Sequence, residues 1–285
     1  MRLKQFINES RGKVLSLDDT KKLLQTKCKK AVEEYKKGNI IYRGINNYNN
    51  YLYIQPSKST RVSLNTENYY TLINDNSPSW EKYPKRSKSV ICTTDLYRAD
   101  NYGDIYIVFP FDNAKIGVCS NVDYWWSFPF LKKVTSISSM DDFNYQLRFI
   151  FNLNYIKKYT GDIDQVQTYD DLKRLFYLFD DFIKTSDSEL EAEMEAEMED
   201  EGLDFEPLDY SPTLDLLQDE NRNILLLKEY DKFMNMEKYI QYLLDSKKNK
   251  FELKKIGDKL PPKREIWTDS DSVLVHESMI NEILP

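Results

Sequence analysis

Residues 91–110 read ICTTDLYRADNYGDIYIVFP, and successive parts of that stretch ask for different structures. With Ser89 and Val90 before it, Ile91-Cys92-Thr93-Thr94 has the composition of a short strand. Asp95 offers a carboxylate to the first free amides of a helix that should run to about Tyr102. Asp104 to Phe111 (DIYIVFPF) is the clearest strand in the chain. Lys115 to Cys119 reads as another, expected to pair with it through the turn at Asp112-Asn113.

Upstream, Ile40-Ile41-Tyr42-Arg43-Gly44 reads as a short apolar strand that ends in an arginine and a glycine. Before it, Ser16 precedes Leu17-Asp18-Asp19, an N-cap with acids in the first turn, and predicts one helix from Leu17 to Lys37 stopped by Gly38. Residues 46–88 are rich in Asn, Ser, Tyr and Pro and read as a long ordered loop with short helical pieces, of the kind that often carries function. Downstream, helical periodicity sets in near Asp141. Phe143, Leu147, Ile150 and Phe151 mark one face, and Leu172, Leu175, Phe176 and Phe179 another. Residues 186–206 form an acidic low-complexity tract, expected to be disordered or a solvated helix. Helical periodicity returns from about Thr213 to Ser246. Two last strands are expected at Glu265–Thr268 and Ser272–His276. Helix, strand, loop, strands, helices, strands is the order of an α+β protein and not of a βαβ repeat.

The totals narrow the function classes. The chain has 285 residues and a formal charge of -7, so general binding to phosphate backbones is disfavoured. Three cysteines, Cys28, Cys92 and Cys119, are too few and too scattered for a disulfide framework or a zinc site; no metal is expected, and a reducing compartment fits. No apolar run approaches the roughly 18 residues that span a bilayer, so a protein that works in solution, without a membrane, is expected.

Three elements stand out together: Tyr42-Arg43-Gly44 at one strand end, Cys92-Thr93-Thr94-Asp95 at the next, and Lys263-Arg264-Glu265 opening a late strand. In that order they resemble the arginine–serine–glutamate class of mono-ADP-ribosyltransferases. Members of the class carry an arginine on the first core strand, a Ser-Thr-Ser-like element on a second and a Glu-x-Glu-like element on a later one. The resemblance covers about residues 38–120, and more thinly 260–276. It implies a split antiparallel β core interrupted by a long helical insertion before the last strands. It divides the chain into an NAD-binding half at 11–140, an insertion at 141–255 that contains the acidic tract, and C-terminal strands at 256–285.

The chemistry implied is NAD-dependent transfer of ADP-ribose, a glycosyltransferase reaction with NAD as substrate. Cleavage of the nicotinamide–ribose bond passes through a sugar cation, as glycoside hydrolysis does, so the protein mainly positions NAD and stabilises positive charge. By resemblance, Glu265 binds the ribose hydroxyl and stabilises the cation, and Thr93 or Thr94 supplies a hydroxyl that orients it. Arg43 clamps an NAD phosphate with its donor fork, and Gly44 lets NAD approach the backbone. Within the 61–89 loop, Asn65, Arg86 and Ser89 would border the cleft and hold the adenosine phosphates. This sequence departs from the family where it reads Cys-Thr-Thr in place of a serine-bearing tripeptide and Lys263 in place of an acid. The acceptor residue is therefore left open.

Each element also has a plain structural reading: Arg43 as a salt-bridging strand residue, Thr93-Thr94-Asp95 as a helix cap, Glu265 as an exposed strand residue, and Asp123 to Phe128 as core or rim. A non-catalytic internal virion or interaction protein that keeps the fold is the alternative. A nucleic-acid-binding module that stacks bases on the 61–89 aromatics is a further one. Finally, MRLKQFINE at residues 1–9 resembles the capsid-targeting leaders of internal head proteins of large tailed bacteriophages, with cleavage expected after Glu9. That resemblance implies capsid or prohead association, packaging in the virion head, and action on a host protein in the host cytoplasm.

Overall fold

Ser16 begins the first helix as its sequence asks: its hydroxyl accepts the Asp19 amide at 3.1 Å, which satisfies one of the orphan donors of the first turn. The helix does not run on to Lys37, however. It breaks at Cys28 into α1 (Leu17–Lys27) and α2 (Lys29–Lys36). Asp112 explains the break. Its amide donates to the Lys27 carbonyl and its carboxylate accepts the Lys30 amide at 2.9 Å. Those are two backbone groups that an unbroken helix would satisfy internally. Gly38, at φ +84°, ends α2.

In this computed structural model the described residues are 12–58, 69–200, 208, 211–220 and 224–284. They divide into two units, residues 1–127 with 246–285, and residues 128–245. The intervening helical unit spans Phe128–Asp245, whereas the resemblance implies an insertion at 141–255. The leader at 1–10 lies outside the described residues.

The first unit is an antiparallel sheet of nine strands, β1 (Lys13–Val14), β2 (Tyr42–Ile45), β3 (Tyr51–Ile54), β4 (Val90–Thr93), β5 (Asp104–Pro110), β6 (Lys115–Val118), β7 (Glu252–Lys255), β8 (Glu265–Thr268) and β9 (Ser272–His276). Their spatial order is β1-β3-β9-β5-β2-β4-β8-β6-β7. The helices of this unit are α1, α2, α3 (Tyr69–Asn76), α4 (Leu96–Asp100) and a short terminal one at Ile280–Ile283.

β5 sits deep in the sheet with β2 on one edge and β9 on the other, so Tyr106 to Phe109 are all buried. Both of its edges being taken, β5 does not pair with β6. β6 instead lies between β7 and β8, and the Asp112-Asn113 turn carries the chain across to the other half of the sheet while Asp112 staples α1 to α2. The long 46–88 segment is not all loop either: its Tyr51–Ile54 pairs with both β1 and β9.

One junction is thin. β2 and β4 are joined through a single residue pair, Tyr42 opposite Thr93, whereas β4 and β8 share four pairs. The nine strands therefore fall into a five-strand half and a four-strand half that meet at that pair.

The second unit is helical: α5 (Pro129–Thr135), α6 (Met140–Asn152), α7 (Asn154–Thr160), α8 (Tyr169–Asp200), α9 (Pro212–Glu220) and α10 (Met236–Leu243). The two apolar faces legible in the sequence, Phe143, Leu147 and Phe151 on α6 and Leu172, Phe176 and Phe179 on α8, are buried, and Phe151 meets both Phe176 and Phe179. The acidic tract continues α8 as helix to Asp200, with most of its side chains exposed. The core of the unit is anchored by Asp180 on α8, which accepts the Tyr230 hydroxyl at 2.6 Å and the Met236 amide at 2.8 Å.

Candidate active site at the β2–β4–β8 junction

The three sequence elements that imply catalysis lie on β2, β4 and β8, and these strands are consecutive in the sheet. Glu265 opens β8 directly opposite Thr93, which is itself opposite Tyr42. Register partners point to the same face of an antiparallel ladder, so Thr93 and Glu265 share a face. Arg43, one residue on from Tyr42, alternates to the other face of the ladder at that point. Beyond Tyr42 the two strands part. The Ile91 carbonyl, which Gly44 would meet if pairing continued, accepts the Arg43 guanidinium through Nη1 at 2.5 Å. Arg43 thus bridges the opened junction. It also acts on the buried Cys92 thiol, which burial pushes up to about 12, with Arg43 opposing that rise and Glu265 adding to it.

The hydroxyls of the second element are committed to backbone. Thr93 Oγ1 donates to the Arg264 carbonyl at 3.2 Å and accepts the Asp95 amide at 3.0 Å. Thr94 Oγ1 accepts the Arg264 amide at 3.0 Å and donates to the Pro261 carbonyl at 2.8 Å. Both hold the turn that precedes Glu265, and so fix where β8 begins. Lys263 in that turn has φ +54°, a left-handed conformation that costs a side-chain-bearing residue about 1 kcal/mol and that the threonine bonds help to impose.

Glu265 itself is held on both oxygens. Oε1 accepts Arg86 Nη2 at 2.5 Å, and Oε2 accepts the Tyr124 amide at 3.3 Å. The Arg86 side chain is 5% exposed and that of Glu265 16%. Arg86 packs 3.8 Å over the Tyr124 ring and 5.4 Å from Trp267, inside a cluster completed by Tyr70, Trp80, Tyr83 and Phe251. Burial acts to lower the Arg86 pKa, but the Glu265 carboxylate, joined by Tyr70, Tyr124 and Cys119, outweighs it, so the guanidinium is held above its ordinary value. The backbone turn that carries Arg86 is pinned as well: Asp75 accepts the Arg86 amide at 2.7 Å and the Ser87 amide at 3.1 Å.

Three expected cofactor contacts are corrected. Arg86 is turned inward onto Glu265, so it is not presented to an adenosine phosphate. Ser89 is buried, and its hydroxyl donates to the Lys85 carbonyl at 2.7 Å, closing the same turn. At Gly44 the space of a side chain is taken by α4, since a Cβ there would lie 1.8 Å from the Ala99 carbonyl oxygen. The glycine is required by helix packing and does not open the backbone to a ligand. Asn65 lies outside the described residues.

The sequence did not single out Asp75 or the caging role of Tyr124 and Trp267. Clustered Trp, Tyr and Arg residues at 80–86 and 124–126 were the available signal, but which ring meets which cation depends on strand register. Among the described residues no group of three or more His, Cys, Asp or Glu side chains is arranged to hold a metal, and no helix is long and apolar enough to cross a membrane. Comparison with protein-family models, curated proteins and solved structures finds no match to this chain.

Proposed function

We propose that the protein is an NAD-dependent mono-ADP-ribosyltransferase that modifies a host protein during infection by a tailed bacteriophage. The observation that supports this reading best is the adjacency of β2, β4 and β8. Residues 43, 93 and 265 are far apart along the chain, and the strands that carry them are consecutive in the sheet. The thin β2–β4 junction adds to it, because it divides the sheet beside the same residues, as a split β core would.

In this reading Glu265 stabilises the ribosyl cation as nicotinamide leaves, and the turn fixed by Thr93 and Thr94 sets its position. A carboxylate already fixed in place at the rim of an aromatic cluster acts on developing charge without the reorganisation that a mobile one requires. The Arg43 side chain leaves the ladder on the face opposite Thr93 and Glu265, and a phosphate reaching it would have to displace the Ile91 carbonyl from its donors. Labelled NAD, incubated with the protein and host lysate beside Glu265→Gln, tests the proposal. Label transfer or nicotinamide release that depends on Glu265 is expected. No turnover by the parent protein overturns it.

A second reading, a non-catalytic virion or interaction protein with the same fold, is favoured by one specific feature: Glu265 is already occupied by Arg86, and both threonine hydroxyls by backbone. NAD binding by calorimetry that is lost in Arg43→Ala counts against this alternative.

A further inference from the structure

We propose that Arg86 is a positioning residue for Glu265, fixing that carboxylate at the rim of the aromatic cluster so that it faces substrate in one orientation. The inference rests on the transferase reading above and extends it to a residue that the sequence assigns to phosphate binding.

Four observations carry it. Arg86 Nη2 and Glu265 Oε1 are 2.5 Å apart. The guanidinium is the more buried partner, so the cation is interior and the carboxylate is the member nearer to solvent. Among the described residues, the only side-chain hydrogen bond of Arg86 goes to Glu265, and its buried Nε and Nη1 find no partner. Lastly, nothing about the guanidinium's place is loose: Tyr124 covers it at 3.8 Å, and Asp75 spends both carboxylate oxygens on the backbone of its turn.

Burying a cation in an aromatic cluster is a poor way to gain stability. Desolvation offsets most of the Coulomb attraction of a buried pair, and apolar replacements of similar volume are often neutral or better. The arrangement makes sense if the purpose is to fix the carboxylate. Planar donors on a rigid base define an orientation that a flexible ammonium or a water molecule cannot. The second oxygen, on the Tyr124 amide at a longer 3.3 Å, is the one more easily surrendered to a ribose hydroxyl. A small pocket that Arg86 lines with Asn74, Asp75, Trp80 and Trp267, about 10 Å³, has room for about one water molecule.

The test is steady-state NAD turnover by the full chain and by Arg86→Met, Arg86→Lys, Glu265→Gln and the double variant Arg86→Met/Glu265→Gln, each checked for folding by circular dichroism. Arg86→Met is expected to lower kcat by about 30-fold or more with KM for NAD within about twofold, the signature of an interaction that acts on the transition state. The double variant should be no slower than Glu265→Gln alone, because the two residues act as a unit. Arg86→Lys should recover part of the loss. It also serves as the readout if the methionine variant fails to fold, again with kcat lowered and KM unchanged. A folded Arg86 variant with parental kcat overturns the positioning role while leaving the transferase reading intact. So does a raised KM at unchanged kcat, or losses that simply multiply in the double variant. A parent protein without NAD turnover overturns the transferase reading and this inference together.

Discussion

Each unit fixes a carboxylate, one buried and one partly exposed, and the two do so in opposite ways. In the helical unit Asp180 lies inside the core and is satisfied by neutral donors, the Tyr230 hydroxyl and the Met236 amide. Burial pushes its pKa above the ordinary carboxylate range, with those two hydrogen bonds and Lys184 offsetting part of the rise. In the sheet unit Glu265 sits at a strand end, partly exposed, and faces a buried guanidinium. Neutral donors are what a fold uses to tie helices together. A fixed cation beneath a carboxylate that still reaches solvent is an arrangement that folding alone does not call for. The difference separates a structural acid from a candidate catalytic one.

The largest effect that can break this contrast is on turnover. Glu265→Gln should cut NAD cleavage by about 100-fold or more, the usual scale for removing a preorganised charge-stabilising group. Asp180→Ala should leave turnover per folded molecule unchanged. An Asp180 variant that lost activity while remaining folded would erase the distinction.

The next effect is on stability. Asp180→Ala strands the Tyr230 hydroxyl and the Met236 amide in the core and should cost about 2–4 kcal/mol in urea unfolding followed by circular dichroism. A cost below about 1 kcal/mol would mean that those groups find other partners.

The smallest effect is on pH dependence. Because burial raises Asp180 in the folded state, the folded protein binds the proton more tightly than the unfolded chain. The stability this contributes is therefore fully present below the unfolded carboxylate pKa, and it is lost as pH rises through the folded value. Asp180→Asn should flatten that decline. An unchanged slope in the variant would assign the decline to other groups.

Much of this architecture can be read from residues alone. β8 and β9 were expected at 265–268 and 272–276 and are found there, because short apolar runs bounded by Pro, Asp and Ser leave little choice. The strands missed were those whose identity is set by partners. Tyr51–Ile54 lies in an Asn-rich segment and is a strand because β9 and β1 flank it. Glu252–Lys255 is half lysine, and it is held at the sheet edge by β6. The break at Cys28 was equally hidden, since Asp112, far along the chain, makes it. At the site, the order of the motifs along the chain was legible, but that their strands are consecutive in the sheet was not. The inward turn of Arg86 and the packing of α4 on Gly44 depend on registers and helix approach that no local pattern encodes.

The account stands on NAD meeting the β2–β4–β8 junction. Isotope-labelled protein titrated with NAD and followed by amide resonances tests this directly. The amides of Arg43, Thr93, Tyr124 and Glu265 are predicted to shift together along one saturable curve, with α8 and α10 unmoved. Shifts confined to other residues, or none at millimolar NAD, would contradict it.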